Sequence, residues 1–235
     1  MTTLFERLLG QRAPEDLPGE VRAHLDLKKR FDPDTPIAEA EFVAFDTELT
    51  GLDFRRDSII SVGALRMRGD TILMGESFYR LVRPESRLNG ESVVVHEITR
   101  EDLVGAGQAG DVLSEFLGFI GDAVLIGHFV HIDLNFVNRA MKRHFGSALR
   151  SMAVDTLSIH DWLYENDSSF ARHFGGMTVK KDLYSMARSY GIRVEASHNA
   201  LYDAFMTAQL FQRFFHFLPG CGVNTVGELL QIGKS

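Results

Sequence analysis

Three short stretches carry side chains whose types and spacing suit chemistry. In EFVAFDTELTGL, Asp46 and Glu48 stand two apart at the end of an apolar run. Extended chain repeats every two residues, so both carboxylates face the same side. Two like charges held together are costly unless a cation or a proton neutralises them. In HFVHID, Asp133 opens an amphipathic stretch just after a strand-like run. In SHNALYD, His198 and Asp203 are five apart. On one helix that offset is about 140° around the axis, so the two converge only if His198 lies in the loop and Asp203 in the first turns. Each stretch alone has an ordinary explanation. A D-x-E pair suits a solvated loop, an acid at a helix start is favoured by the dipole, and a lone histidine is often a capped core residue. Together they supply four carboxylates and one histidine, each at the end of an element. An all-oxygen cluster selects hard cations, Mg²⁺ or Mn²⁺, over zinc or copper.

The elements that must position these groups are legible from patterning. EFVAFD reads as a buried strand, and SIISVGALRM and TILMGESFYRLV follow with Gly69-Asp70 as a hairpin signal between them. Short links predict an antiparallel three-strand meander. A helix is expected over 111–121, where Val112, Leu113, Phe116, Leu117 and Ile120 share a face. AVLIG is a further buried strand, and 132–145 is helical with Ile132, Phe136, Ala140 and Met141 inward. Asp155-Thr156 is positioned to cap the next helix. Further helices are expected over 179–190 and 199–217. The result is an α/β domain with one mixed sheet and helices on both faces. Residues 1–40 read as a helical extension. Leu4, Phe5, Leu8 and Leu9 have helical spacing, a second helix is expected over 18–30, and Pro33 and Pro36 break it. The domain itself runs over 41–218, with a tail over 219–235.

Composition narrows the class. The chain has 235 residues, 45% hydrophobic and 24% charged, which is ordinary globular usage. No apolar run approaches the roughly 18 residues that span a bilayer. The first residues, with Glu6, Glu15 and Asp16, lack the pattern of a secretory signal. Cys221 is the single cysteine, which excludes an internal disulfide and a cysteine zinc cluster, so a reducing, cytoplasmic setting is expected. The net charge of −7 argues against a broad duplex-coating surface. Charge is unevenly spread: residues 41–138 carry 8 basic and 16 acidic side chains, and residues 139–193 carry 9 and 5. That division suits a metal site beside a phosphate-tracking surface, or ordinary solvated charge.

The same segments resemble the three exonuclease motifs of the DEDD superfamily, in its DnaQ-like branch with histidine in the third motif. DTELTGL resembles D-T-E-x-T-G-L. GHFVHIDLNFV is similar to A-H-N-x-x-F-D-x-x-F-L, and HNALYDAFMT to H-x-A-x-x-D-A-x-x-T. Val95-His96-Glu97-Ile98-Thr99 resembles the V-H-G-I-T segment, and Val154-Asp155-Thr156-Leu157 the V-D-T-L segment. The resemblance covers about 41–217. It departs at Phe129, where the family has Asn, at Ile132, where it has Phe, and at Glu97, where it has Gly.

What the resemblance implies is a ribonuclease-H-like fold and a 3′→5′ exonuclease that releases nucleoside 5′-monophosphates from single-stranded 3′ ends, DNA ahead of RNA. Asp46, Glu48 and Asp203 would hold one Mg²⁺ or Mn²⁺, and Asp46 would share a second with the scissile phosphate, with Asp133 supporting it directly or through water. His198 would take the proton from the attacking water. Thr47, Leu49, Leu52, His96 and Ile132 would contact the terminal nucleotide, with Leu52 and Ile132 otherwise plain core residues. Phe129 is either a base-stacking or a packing residue. Lys142, Arg143, Lys180, Lys181 and Arg188 either line the strand's path or are solvated helix faces. A polymerase or repair partner is a role for the extension.

Two other classes remain on these residues. Asp46-Thr47-Glu48-Leu49-Thr50 echoes the D-x-D-x-T of haloacid-dehalogenase-type phosphatases. That chemistry needs Asp at the second position and a late acid pair after a lysine, and neither is present. A non-catalytic nucleic-acid-binding protein on the same fold is the other, against which stands the retention of all five residue types. An RNA-trimming exoribonuclease is the alternative within the family.

Overall fold

The computed structural model describes residues 16–26, 32–85, 98–173, 180–195 and 198–234. His96 and its neighbours over 86–97, and the first expected helix, lie outside them.

The centre of the molecule is β1 (Glu41–Leu49). Its apolar residues alternate between two cores. Phe42 and Ala44 enter one, Val43 and Phe45 the other. A strand apolar on both faces must be covered on both, and that places β1 inside the sheet. It pairs antiparallel with β2 (Ile59–Arg68), which pairs antiparallel with the edge strand β3 (Thr71–Leu81). On its other side β1 runs parallel to β4 (Val124–Gly127), and β4 to β5 (Ala153–Asp155). The order is β3-β2-β1-β4-β5. The expected meander and mixed sheet are both present.

One face is covered by α2 (Ala109–Ile120) and α3 (His131–Phe145). Phe116 and Met141 are fully buried there. Gly146 ends α3 at φ 70°, a left-handed position that glycine takes without a steric penalty. The short α1 (Gly19–Leu25) packs on α2 and buries Val21, so this part of the extension lies on the domain. The other face is covered by α4 (Thr156–Asn166), α5 (Ser168–His173), α6 (Leu183–Ser189) and α7 (Ala200–Phe215). Phe211 of α7 meets Phe42 of β1 with ring centroids 5.0 Å apart. Full burial of each ring contributes about 1.5–3 kcal/mol. After a 3₁₀ turn, α8 (Val226–Ile232) starts with a Thr225–Glu228 capping box and buries Leu229 in the same core.

One helix starts later than its periodicity predicts. The expected helix over 179–190 begins only at Leu183, because the Asp182 side chain accepts from Ser185 N and caps it there. In the expected helix over 18–30, Asp26 caps the described part after Leu25.

Candidate active site

Asp46 and Glu48 lie in β1, where it passes the N-terminus of α7. Their pairing on one side of the strand follows from the period-two geometry. Asn199 caps α7 through its side chain to Tyr202 N. That leaves His198 just outside the helix and puts Asp203 in its first turn, the arrangement their spacing required. One carboxylate oxygen each of Asp46, Glu48 and Asp203 lies within 4.8 Å of the others. The close approach depends on Gly63, which stands opposite Asp46 in β2. A Cβ there would meet the Ala200 backbone at 2.2 Å. Sequence reasoning gave Gly63 no role.

Asp133 comes from the start of α3 and is buried. Its Oδ1 accepts from the Thr47 amide at 2.9 Å and from the Thr47 hydroxyl at 2.6 Å. The hydroxyl hydrogen of Thr47 is thereby given to Asp133, and its oxygen keeps its accepting lone pairs. Asp155, the N-cap of α4, also accepts from Val130 N at 2.8 Å and so ties the loop before α3 to β5. His128 adds a second tie, with Nδ1 2.8 Å from Thr156 Oγ1 and Nε2 2.7 Å from the Lys181 carbonyl. Phe129, between them, adopts a left-handed φ of 54°.

Burial dominates the electrostatics. It pushes Glu48 up to about 8, with the charges of Asp203 and Asp133 adding to the effect. It raises Asp133 to about 7 against the pull of the two Thr47 bonds. Asp203 rises to about 6, opposed by the Tyr184 hydroxyl and by His198. Asp46 is also raised, by burial first and then by Asp133, Asp203 and Glu48. Four acids whose anionic forms disfavour one another make a site that a cation would relieve. Asp203 Oδ1 is buried and has no hydrogen-bond partner among the described residues. The donor set is all oxygen, which fits a hard divalent cation.

These groups open onto a cleft of about 680 Å³. Thr47, Leu49, Leu52 and Ile132 all line it, as do Phe129 and His198. Leu52 is 70% exposed, which removes its alternative reading as a plain core residue. It sits on the loop after β1, which is clamped by Arg139 through the Phe54 and Asp57 carbonyls. Of the five cations considered for the strand's path, Arg143 is paired with Glu85 at 2.5 Å and Lys181 with Asp161 at 2.7 Å. Lys142, Lys180 and Arg188 are exposed. Tyr184 of α6 also lines the cleft and bonds to both Asp203 and His198. No motif pointed to it.

Residues 43–211 match the exonuclease family, a span that takes in all four acids and His198. The chain belongs to the exonuclease family. Among its relatives, DNA polymerase III subunit epsilon of Aquifex aeolicus is 32% identical over 201 residues, covering 84% of this chain and 93% of that protein. The PolC-type DNA polymerase III of Thermotoga maritima is 29% identical over 201 residues, covering 86% of this chain and 14% of the polymerase. The chain thus spans about one seventh of that relative's length. E. coli Exonuclease I in complex with a dT13 oligonucleotide superposes with a TM-score of 0.64 at 15% identity, over 77% of this chain and 42% of that one. The shared architecture is the ribonuclease-H-like mixed sheet. Among the described residues no helix is long and apolar enough to cross a membrane.

Proposed function

We propose that this exonuclease is a metal-dependent 3′→5′ enzyme that removes nucleoside 5′-monophosphates from single-stranded DNA ends. The observation that carries the reading is the convergence of Asp46, Glu48 and Asp203 within 4.8 Å beside Asp133 and His198. Asp46, Glu48 and Asp203 would hold one cation, and Asp46 and Asp133 a second, with Mg²⁺ or Mn²⁺ suited to the oxygen donors. Bound divalent cations supply charge neutralisation for an in-line displacement at phosphorus. Thr47 holds Asp133 in place through its amide and its hydroxyl. His198 accepts the proton of the attacking water, a step that contributes about 10²–10⁴-fold in such reactions. Leu49, Leu52 and Ile132, with His96, seat the terminal nucleotide. DNA is favoured over RNA by the polymerase relatives, and by the oligodeoxynucleotide that Exonuclease I holds in its complex. A polymerase is the partner class those relatives suggest, with the N-terminal extension as a contact.

Matched 5′-labelled DNA and RNA strands, incubated with Mg²⁺ or Mn²⁺, test the reading. A ladder shortening from the 3′ end of DNA, stopped by chelator and slowed by a 3′-phosphate, is the expected result. Cutting of circular single strands, or full activity in chelator, overturns it. Faster digestion of RNA moves the substrate to RNA. His198→Ala should keep metal affinity and lose about 10²–10⁴-fold in rate. Asp203→Ala should lose metal and rate together.

A further inference from the structure

The hydroxyl of Tyr184 makes three contacts that together use everything a hydroxyl has. It donates to Asp203 Oδ2 at 2.6 Å. It accepts from the His198 backbone N–H at 2.8 Å. It stands 3.2 Å from His198 Nδ1, the two rings meeting edge to face with centroids 5.0 Å apart. A hydroxyl has one hydrogen and two lone pairs. The hydrogen goes to Asp203, since an ionised carboxylate can only accept. One lone pair takes the backbone N–H. What remains for Nδ1 is a lone pair, and a lone pair is satisfied only by an N–H.

We propose that Tyr184 is a positioning residue that fixes the tautomer of His198, holding the proton on Nδ1 and leaving Nε2 as the proton-accepting nitrogen. A neutral imidazole carries one N–H, and the hydrogen bond made by one nitrogen decides which nitrogen has it. His198 lines the cleft, and Nε2 makes no hydrogen bond among the described residues. The same hydroxyl also accounts for the backbone. His198 has φ 59°, a left-handed conformation that is sterically unfavourable for a residue with a side chain. The bond from its N–H to Tyr184 holds it there. One side chain from α6 thereby orients the base, selects its nitrogen and steadies an acid of the proposed metal site. The role rests on the proposed reading of His198 as the general base.

The test is a two-bond ¹H–¹⁵N correlation spectrum of the full chain labelled with ¹⁵N-histidine, in Mg²⁺, with His198 assigned by its loss in His198→Gln. The wild type should show the Nδ1–H tautomer. Tyr184→Phe should shift His198 toward Nε2–H and lower kcat about 10–100-fold at saturating Mg²⁺, the range typical for an outer partner of a reacting group. An Nε2–H tautomer in the wild type overturns the proposal, as does a Tyr184→Phe protein whose tautomer is unchanged. Should Tyr184→Phe fail to fold, the wild-type spectrum can still overturn the idea, and Tyr184→Leu, which also removes the hydroxyl, takes the variant's place with the same expected shift toward Nε2–H. A wild type with no nuclease activity would sink the exonuclease reading, and the spectrum would still decide whether Tyr184 sets the tautomer.

Discussion

Gly63 of β2 and Ala200 of α7 are in backbone contact: a Cβ on Gly63 would lie 2.2 Å from the Ala200 carbonyl carbon. Because Gly63 pairs with Asp46, this contact sets the distance between the acids of β1 and Asp203 of α7. The obstacle is backbone, which cannot rotate away as a side chain can. Gly63→Ala should lower stability by about 1–3 kcal/mol, the usual range for overpacking. It should also cut activity by about 10²-fold, because small displacements at a reacting centre are costly. Gly75→Ala, where a Cβ meets nothing within 4 Å, is the control and should change little. Denaturant unfolding and rates on one oligonucleotide check both. An active, stable Gly63→Ala protein would show that α7 does not depend on this contact.

Thr47 reaches Asp133 across 86 positions of sequence, through its amide and its hydroxyl. Both bonds stabilise the ionised carboxylate against a burial effect that otherwise raises it. Thr47→Val keeps shape and strand preference but removes the hydroxyl donor. A bond to a charged group is worth about 1.5–3 kcal/mol, so Asp133 should titrate higher. The pH–rate profile should move to the alkaline side and the rate at neutral pH should fall. Thr47→Ser, which retains the donor, should stay close to wild type. Identical profiles for Val and wild type would remove the link.

The divide between what could and could not be read from sequence follows from range. Asp46 and Glu48 were legible because a strand's period is local, and Asp155 as a cap because capping is a property of adjacent residues. The meander was legible because Gly69-Asp70 marks its turn. Gly63 and Tyr184 were not, since each matters only through an element distant in sequence. Gly63 meets α7, and Tyr184 meets His198 from the preceding helix. The exposure of Leu52, which decides between its two readings, was not legible for a related reason. Its apolar side chain suggested burial, whereas the Arg139 clamp holds its loop out along the cleft.

The raised carboxyls make the metal-free protein sensitive to alkali. Glu48 near 8 and Asp133 near 7 keep protons in the folded state that the unfolded chain, with carboxylates near 4, has already released. Their contribution is complete at low pH and is lost as pH rises through those folded values. The histidines act the other way. His24, lowered to about 4 by burial and Arg150, makes the fold gain stability as pH rises from about 4 to 6.5. Above 6.5 the carboxyls act alone of the two. Unfolding free energy in chelator should therefore fall between pH 6.5 and 8, by up to about 1.4 kcal/mol per pH unit for each retained proton. A cation displaces those protons, so Mn²⁺ should stabilise more at pH 8 than at pH 6.5. Denaturant titrations at the two pH values, with and without Mn²⁺, read this directly. Stability that rises with pH in chelator contradicts it.

Phe129 and His198 are the two described non-glycine residues with positive φ, at 54° and 59°, and both line the cleft. A Cβ in this region meets the following carbonyl oxygen, so each position stores strain. The strain can be measured apart from the side chain's own contacts by comparing Ala with Gly, since both remove the ring. In ordinary backbone, Gly is the less stable of the pair by about 0.5–1 kcal/mol. At these two positions the order should reverse, with Phe129→Gly more stable than Phe129→Ala by about 1 kcal/mol, and His198→Gly than His198→Ala likewise. Thermal or urea unfolding gives the difference. Should Ala prove as stable as Gly at His198, the residue must relax out of the left-handed conformation once its ring is gone. The Tyr184 bond to its N–H would then be a consequence of the imidazole's placement rather than a cause of it.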